Sequence, residues 1–204
     1  MTDIFIAPTP SIDDLDKLSL AVTAAFPRSH GYIKDVLSRG ERARLHSASA
    51  LLLLAHALGK FGIDTAQISI ARAPSGKPYF ENCDMFFSLS HDTQAIAAAL
   101  SGTDIGIDIQ SPCKADEKKL YKRFFGSAAQ GFEEFDTNSF YTEWTQKEAL
   151  CKLCDIPLAQ ALREPLRDGV FFNTFKKGDV TVSLASMIND GISIHEIESL
   201  DLCM

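Results

Sequence analysis

The chain has 204 residues, of which 46% are hydrophobic and 23% are charged, a composition typical of a folded globular protein rather than a disordered one. Its formal net charge of −7 argues against a general nucleic-acid-binding protein, which would present a basic face. Residues 1–6 lack the basic segment of a secretory signal, and the leucine run 51–54 is too short to cross a bilayer. We therefore expect a cytoplasmic protein without membrane-spanning segments.

The first sixty residues predict one strand followed by helices. A short strand over 4–7 ends before Pro8. Ser11 and the acids that follow it are typical of a helix start, because acids favour the positive end of the helix dipole. Two further helices are expected, over 32–38 and 41–60.

The pattern then changes to short apolar or alternating runs, which predict strands. Four of them are expected to form an antiparallel sheet that packs on the long helix, over 67–71, 85–90, 95–100 and 105–109. The rest of the chain predicts two helices, over 116–125 and 138–154, and three strands, over 170–175, 180–185 and 192–200. Hairpin turns between these last strands are expected at 177–179 and 189–191.

Helices followed by a sheet thus occur twice along the chain. This order predicts an α+β protein with two similar halves of helices and antiparallel sheet, over 1–103 and 104–204. No residue-level repeat is visible, so only the order of elements suggests a duplication. Because no low-complexity linker separates the halves, we expect them to share an interface.

Five cysteines occur without a regular framework of spacings, at Cys83, Cys113, Cys151, Cys154 and Cys203. In a reducing compartment such cysteines are expected to be free thiols. The Cys-x-x-Cys spacing of Cys151 and Cys154 also occurs in redox pairs and zinc sites, but no second pair of ligands accompanies it in the sequence. We interpret the two as packing residues of a helix.

The strand over 105–109 combines an apolar face with an acid. Its isoleucines point to one side and belong to the core, whereas Gly106, Asp108 and Gln110 point to the other. Asp108 is therefore expected at a boundary or cleft, and Gly106 leaves room for a close approach. The alternative interpretation is an acid that is solvated at the edge of a sheet.

A second acid, Glu148, lies between Lys147 and Lys152 on the helix over 138–154. One interpretation is an ordinary surface ion pair between Glu148 and Lys152. Two carboxylates from different elements are, however, able to hold one hard cation such as Mg²⁺, and flanking lysines are able to hold the phosphates that the ion bridges. Together with Asp108, this helix indicates chemistry on a pyrophosphate.

Two upstream segments carry further groups that are able to bind phosphate. Ser90 and His91 end an apolar strand at a loop, where a protonated histidine would attract an anion. Arg72 and Lys77 place two cations in the turn before that strand. Taken alone, these segments are equally consistent with a structural histidine and an ordinary basic hairpin.

Four motifs follow one another as Gly76-Lys77-Pro78, Phe87-Ser-Leu-Ser-His91, Gly106-Ile-Asp108-Ile and Trp144-x-x-Lys147-Glu148-Ala-x-x-Lys152. In this order they resemble the motifs of the phosphopantetheinyl transferase superfamily, in particular the single-chain type represented by the surfactin-synthetase activator. The resemblance covers residues 70–155, and both ends of the chain are compatible with it. It implies a pseudo-twofold α+β fold that binds coenzyme A in the cleft between the halves.

The resemblance also implies an activity. Members of the superfamily transfer 4′-phosphopantetheine from coenzyme A to a serine of an apo acyl or peptidyl carrier protein and release adenosine 3′,5′-bisphosphate. They use Mg²⁺, with Mn²⁺ as the alternative ion. The implied partners are therefore coenzyme A and a carrier protein, without nucleic acid or membrane, and a duplicated single chain is expected to act as a monomer.

By position, the resemblance assigns roles to individual residues. The metal ligands would be Asp108, Gln110 and Glu148. The catalytic residues would be Asp108, Glu148 and Lys152, with Glu148 as the best candidate for the base. The coenzyme A contacts would be Lys147 and Lys152 at the pyrophosphate, Ser90 and His91 at the nucleotide phosphate, Lys77 near the adenine and Arg72 as a further phosphate contact.

The chain departs from the family pattern at two places. Gln110 stands where many members carry glutamate; its amide oxygen is able to ligate Mg²⁺ but supplies no charge, so weaker metal binding is expected. Relatives also often carry a basic residue before the leucine run, where this chain has none over 47–50. Arg39, Arg42 or Arg44 would have to substitute for it.

Two alternative functions use the same residues. A degenerate member would bind coenzyme A without transfer, and a metal-dependent pyrophosphatase would act on free nucleotides. For the transferase interpretation, the sequence also has to provide a surface that binds the carrier protein. Because carrier proteins are commonly acidic, this docking surface would need apolar and basic residues. One candidate is the docking cluster Lys118, Lys119, Lys122, Arg123, Phe124 and Phe125. The alternative interpretation of this cluster is a solvated helix face with a buried aromatic end.

Overall fold

The computed structural model describes residues 1–112, 117–125, 136–162 and 165–199, and the side chains of all these except 122–125. In these ranges the chain forms six α-helices: α1 (Leu15–Ala25), α2 (His30–Leu37), α3 (Glu41–Lys60), α4 (Glu117–Phe125), α5 (Thr137–Cys154) and α6 (Leu158–Ala161). It also forms nine strands there: β1 (Thr2–Pro8), β2 (Ile70–Arg72), β3 (Pro78–Phe80), β4 (Phe86–His91), β5 (Ala95–Ser101), β6 (Ile105–Gln110), β7 (Phe171–Lys177), β8 (Val180–Ser186) and β9 (Ile192–Glu196). Helices and mainly antiparallel sheets confirm the α+β class.

A four-stranded sheet with the order β4-β5-β1-β9 packs on α3. The leucine run 51–54 of α3 is almost completely buried, because α1 covers one side of the helix and the sheet covers the other. Ala98 of β5 faces the core around α3, whereas its neighbours Ala97 and Ala99 face a second core, as the alternation of a strand requires. The predicted long helix and its packing on strands β4 and β5 are confirmed.

A three-stranded sheet with the order β6-β8-β7 lies beside the first sheet. The second core includes side chains of both sheets, with isoleucines of β1 and β6 among them. Ile105, Ile107 and Ile109 are buried in this core, as the alternation of the strand predicts. The opposite face of β6 carries Asp108 toward α5.

The four strands predicted between 67 and 109 do not form one sheet. β4 and β5 pair with each other, but among the described strands β2 pairs with β3 alone, and β6 pairs with β8. β6 still runs alongside β4, where Ser88 Oγ accepts a hydrogen bond from Ile107 N at 3.0 Å and Ser90 Oγ accepts one from Ile109 N at 3.2 Å. Serine hydroxyls thus act as acceptors where backbone carbonyls would have joined the two sheets.

The prediction of a hairpin at 189–191 is also wrong. β9 runs parallel to β1, with Ile194 opposite Ile4, and so joins the first sheet. β8 already has β6 and β7 as neighbours, whereas β1 offers an open edge. Turn residues predict that the chain reverses but not which strand the next one joins. The other predicted hairpin is confirmed between β7 and β8, where Gly178 takes the positive φ of 56°.

No helix in the described ranges is long and apolar enough to cross a membrane. α4 confirms the predicted helix from Glu117 onward, and residue 116 lies outside the described residues. Of the docking cluster only Lys118 and Lys119 have described side chains, and both are exposed. The division into halves at 103 and 104 stays a prediction.

Candidate functional site

Asp108 lies at the centre of the candidate site and is only 3% exposed. Its Oδ1 atom accepts two hydrogen bonds, from Ser90 Oγ at 2.8 Å and from Lys152 Nζ at 2.8 Å. Its Oδ2 atom is also buried, and no amide, hydroxyl or ammonium donor of the described residues reaches it. Asp108 is therefore not an acid solvated at a sheet edge. A buried carboxylate oxygen is costly unless a cation or the proton of a neighbouring carboxyl group lies against it.

Glu148 of α5 lies next to Asp108. The pKa of Glu148 is raised to about 7, first by burial and then by the charge of Asp108 and a hydrogen bond between the two carboxyl groups. Lys152 and the indole of Trp144, which hydrogen-bonds to Glu148, offset part of this rise. In the absence of a metal ion the Glu148 carboxyl is therefore partly protonated near neutral pH.

The close approach of α5 to β6 brings these groups together. A Cβ atom on Gly106 would lie 2.0 Å from the carbonyl oxygen of Ala149, so only glycine fits beneath the helix. A buried hydrogen bond of 2.7 Å between the hydroxyls of Thr145 and Ser183 fixes α5 on β8. The room expected beside Gly106 is thus filled by the backbone of α5.

Lys152 connects Asp108 to an open cavity. Its ammonium group also donates to the Ile107 carbonyl oxygen at 2.8 Å, while 30% of the side chain stays exposed. Lys77 borders the same cavity of about 290 Å³, and its Nζ atom pairs with Asp104 Oδ1 at 2.6 Å. Two lysines from distant segments therefore border one cavity, an arrangement suited to an anionic ligand.

His91 borders a second cavity, of about 660 Å³, together with Arg42, His46 and Gln110. The rings of His46 and His91 lie 4.9 Å apart, centroid to centroid. The pKa of His91 is lowered to about 4, mainly by desolvation and also by the charges of His46 and Lys152. Water in the cavity offsets part of this effect, because His91 is exposed there. His91 is therefore neutral at pH 7 rather than the imidazolium considered from the sequence.

His46 was not expected from the sequence to take part in the site. Its spacing four residues after Arg42, on one face of α3, is the signal that was available. Of the three arginines considered as substitutes, Arg42 borders the second cavity, Arg39 pairs with Asp35 at 3.4 Å, and Arg44 has a buried Nε atom without a hydrogen-bond partner.

Other predicted contacts lie apart from Asp108 or are already engaged. Arg72 pairs with Asp35 at 3.1 Å, lies over the Tyr32 ring and borders a different cavity, of about 470 Å³. Lys147 is buried, with 3% of the residue exposed. Ser90 uses its hydroxyl to donate to Asp108 and to accept from the β6 backbone. The phosphate contacts assigned to these three residues stay predictions.

No group of three or more His, Cys, Asp or Glu side chains in the described ranges lies close enough to hold a metal ion. The site instead offers two adjoining carboxylates, Asp108 and Glu148, and the amide of Gln110 two residues along β6. These two carboxylates, with an Asp108 Oδ2 atom that no amide, hydroxyl or ammonium group of the described residues reaches, fit a hard divalent cation such as Mg²⁺.

The cysteines of the described residues show no sign of redox or zinc chemistry. Cys83, Cys151 and Cys154 are free thiols, as expected, whereas Cys113 and Cys203 lie outside the described residues. Burial, followed by the charge of Glu148, raises the pKa of Cys151 to about 11 and so disfavours its thiolate. Cys154 packs in an apolar cluster with Ala149 and Leu153. These surroundings favour packing over redox or zinc chemistry.

The sequence matches no known protein-family model, and no curated protein matches it significantly. The function proposed below therefore depends on the geometry of the site and on the sequence motifs.

Proposed function

We propose that the protein is a 4′-phosphopantetheinyl transferase, which moves phosphopantetheine from coenzyme A to a serine of an apo acyl or peptidyl carrier protein. The observation that carries this proposal is the contact between Asp108 and Glu148 beside Lys152. Two carboxylates from separate elements, next to a cavity bordered by two lysines, suit a pyrophosphate with its divalent cation.

Charge complementarity supports a pyrophosphate ligand. Asp108 and Glu148 would hold Mg²⁺ (or Mn²⁺), with Gln110 as a third ligand, and the ion would neutralise phosphate charge when bound. Lys152 would then exchange part of its contact with Asp108 for a phosphate oxygen in the cavity. Lys77, which borders the same cavity, would contact the nucleotide end.

The reaction forms one phosphorus–oxygen bond and breaks another. The oxygen of the carrier serine attacks the β-phosphorus of coenzyme A, and adenosine 3′,5′-bisphosphate leaves with the electrons of the broken bond. The serine proton passes to Glu148, directly or through an intervening water. Lys152 stabilises the negative charge that develops on the leaving group.

The proposal includes the pseudo-twofold fold with halves at 1–103 and 104–204 and with coenzyme A bound between them. In support, Lys77 and Lys152 border one cavity although they belong to different halves. One chain would carry the whole site, so the protein is proposed to act as a cytoplasmic monomer. The exposed Lys118 and Lys119 of α4 would attract an acidic carrier protein.

Mass spectrometry of a panel of apo carrier proteins, each incubated with the protein, coenzyme A and Mg²⁺, tests the proposal. A gain of one phosphopantetheine mass, absent from a carrier whose acceptor serine is replaced by alanine, is the expected result. Coenzyme A binding without any mass gain across the panel would instead indicate the degenerate binding module. Release of the bisphosphate without a carrier protein would indicate the pyrophosphatase.

A further inference from the structure

Two buried serines join β4 to β6 in nearly the same way. Ser88 and Ser90 are each 4% exposed, and each hydroxyl accepts one hydrogen bond from a backbone N–H of β6, at 3.0 and 3.2 Å respectively. As structural links between the sheets the two serines are therefore equivalent. Any difference between them must come from what else each hydroxyl contacts.

Only one of the two hydroxyls also donates to the site. Ser90 Oγ donates to Asp108 Oδ1 at 2.8 Å, and Lys152 Nζ donates to the same atom at 2.8 Å. Two donors on Oδ1 fix the rotation of the carboxylate and leave Oδ2 as a buried oxygen that no amide, hydroxyl or ammonium donor of the described residues reaches. A carboxylate held in this way presents one defined oxygen to an ion.

We infer that Ser90 is a positioning residue that holds Asp108 with its Oδ2 atom available to a divalent cation; the part this plays in turnover rests on the proposed function. Outer-shell hydrogen bonds of this kind orient metal ligands and strengthen their binding. The resemblance to transferases assigned Ser90 to phosphate instead, but its buried hydroxyl is already used by Asp108 and Ile109.

Ser90 matters more than Lys152 for this purpose because the two donors differ in mobility. Lys152 has a long side chain with 30% exposure to a cavity, so an anionic ligand there would compete with Asp108 for its ammonium group. Ser90 has a short, buried side chain and no such competitor. When Lys152 turns toward a phosphate, Ser90 is the donor that still holds Asp108.

Electron paramagnetic resonance of Mn²⁺ titrated into the full chain without other ligands tests this role. Asp108→Asn should remove the site. Ser90→Ala should weaken Mn²⁺ binding by about tenfold, the lower end of the loss seen when an outer-shell partner is removed. Ser90→Thr keeps the hydroxyl and should stay within about twofold of the natural protein. Ser88→Ala is the matched control, because it removes the same kind of strand link without touching Asp108.

Four results of this titration would overturn the inference. Unchanged Mn²⁺ affinity in Ser90→Ala would show that Lys152 alone suffices, and an equal loss in Ser88→Ala would assign the effect to the strand link. Full Mn²⁺ affinity in Asp108→Asn would place the ion elsewhere. If Ser90→Ala does not fold, Ser90→Cys replaces it as a weaker donor of similar shape, and an affinity equal to that of Ser90→Thr would count against the role.

Transfer kinetics separate this inference from the proposed function. In an active enzyme, Ser90→Ala should raise the Mg²⁺ concentration for half-maximal rate about tenfold, whereas its rate at saturating Mg²⁺ should fall much less. If the natural protein binds Mn²⁺ through Asp108 but modifies no carrier protein, the proposed transferase function is refuted and the role of Ser90 is not. Normal transfer with an unchanged Mg²⁺ requirement in Ser90→Ala would refute only the role of Ser90.

Discussion

Gly106 of β6 and Ala149 of α5 lie so close that one added carbon does not fit between them: a Cβ atom on Gly106 would be 2.0 Å from the Ala149 carbonyl oxygen. We expect Gly106→Ala to push α5 away from β6 and to lower the free energy of unfolding by about 2–3 kcal/mol, as overpacking does. Because Glu148 precedes Ala149, the shift should also separate it from Asp108 and reduce carrier modification about 100-fold. Urea unfolding and the carrier assay measure the two effects.

Gly102→Ala is the matched control for this contact. A Cβ atom on Gly102 meets no atom within 4 Å, so its unfolding free energy should change by about 0.5 kcal/mol or less. Equal losses in the two variants would contradict a specific contact between β6 and α5.

Glu148→Gln should abolish transfer and leave coenzyme A binding measurable, because glutamine keeps the shape of the side chain but cannot accept the serine proton. Single-turnover transfer and coenzyme A titration measure the two properties. Glu143→Gln, more than one helical turn earlier on α5, is the matched control and should retain turnover. Near-normal turnover of Glu148→Gln would refute its role as the base.

The pKa of Glu148 also predicts how stability depends on pH. Its folded-state pKa of about 7 lies above the ordinary value of 4.5, so folding takes up a proton between these values. The contribution of Glu148 to stability therefore falls as the pH rises through this window, by about 1–3 kcal/mol. Unfolding measured from pH 4.5 to pH 8 should show this decline for the natural protein relative to Glu148→Gln. Parallel profiles of the two proteins would contradict the raised pKa.

Much of the fold could be predicted because its elements have strong local patterns. The long helix over 41–60 and the strand with Asp108 follow from apolar spacing alone. The partner of β9 could not be predicted, since it depends on which strand edges are open after the sheets form. The position of β6 could not be predicted either, because its backbone N–H groups bond to two serine hydroxyls of β4 rather than to backbone carbonyls.

The site shows the same division between local pattern and tertiary packing. Alternation along β6 separates Asp108 from the isoleucines, and the motif on α5 supplies Glu148. The burial of Lys147 and the position of His46 beside His91 depend on how distant segments pack, which spacing within one helix does not determine. The lysine motif predicts positive charges on α5, but it does not predict which of the two lysines is able to reach a ligand.

His91 should make stability depend on pH in the opposite direction to Glu148. Its folded-state pKa is lowered to about 4, below the ordinary value of 6.5, so its contribution is present above pH 6.5 and is lost as the pH falls toward 4. We expect a loss of no more than about 1 kcal/mol, because water in the cavity screens the exposed ring. The difference in unfolding free energy between the natural protein and His91→Gln measures it. A difference that grows as the pH falls would contradict the lowered pKa.

Gln110→Glu should lower the Mg²⁺ concentration needed for half-maximal transfer. A carboxylate at this position adds a negative charge on the strand face that carries Asp108, and the affinity of oxygen-ligand sites rises with the number of charged ligands, here by about tenfold. In the absence of metal, the added charge should lower the free energy of unfolding, because three carboxylates would then lie close together. Gln67→Glu, which adds a charge at an exposed position far along the chain, is the control and should leave the Mg²⁺ requirement unchanged. If Gln110→Glu needs as much Mg²⁺ as the natural protein, residue 110 is not a ligand of the ion.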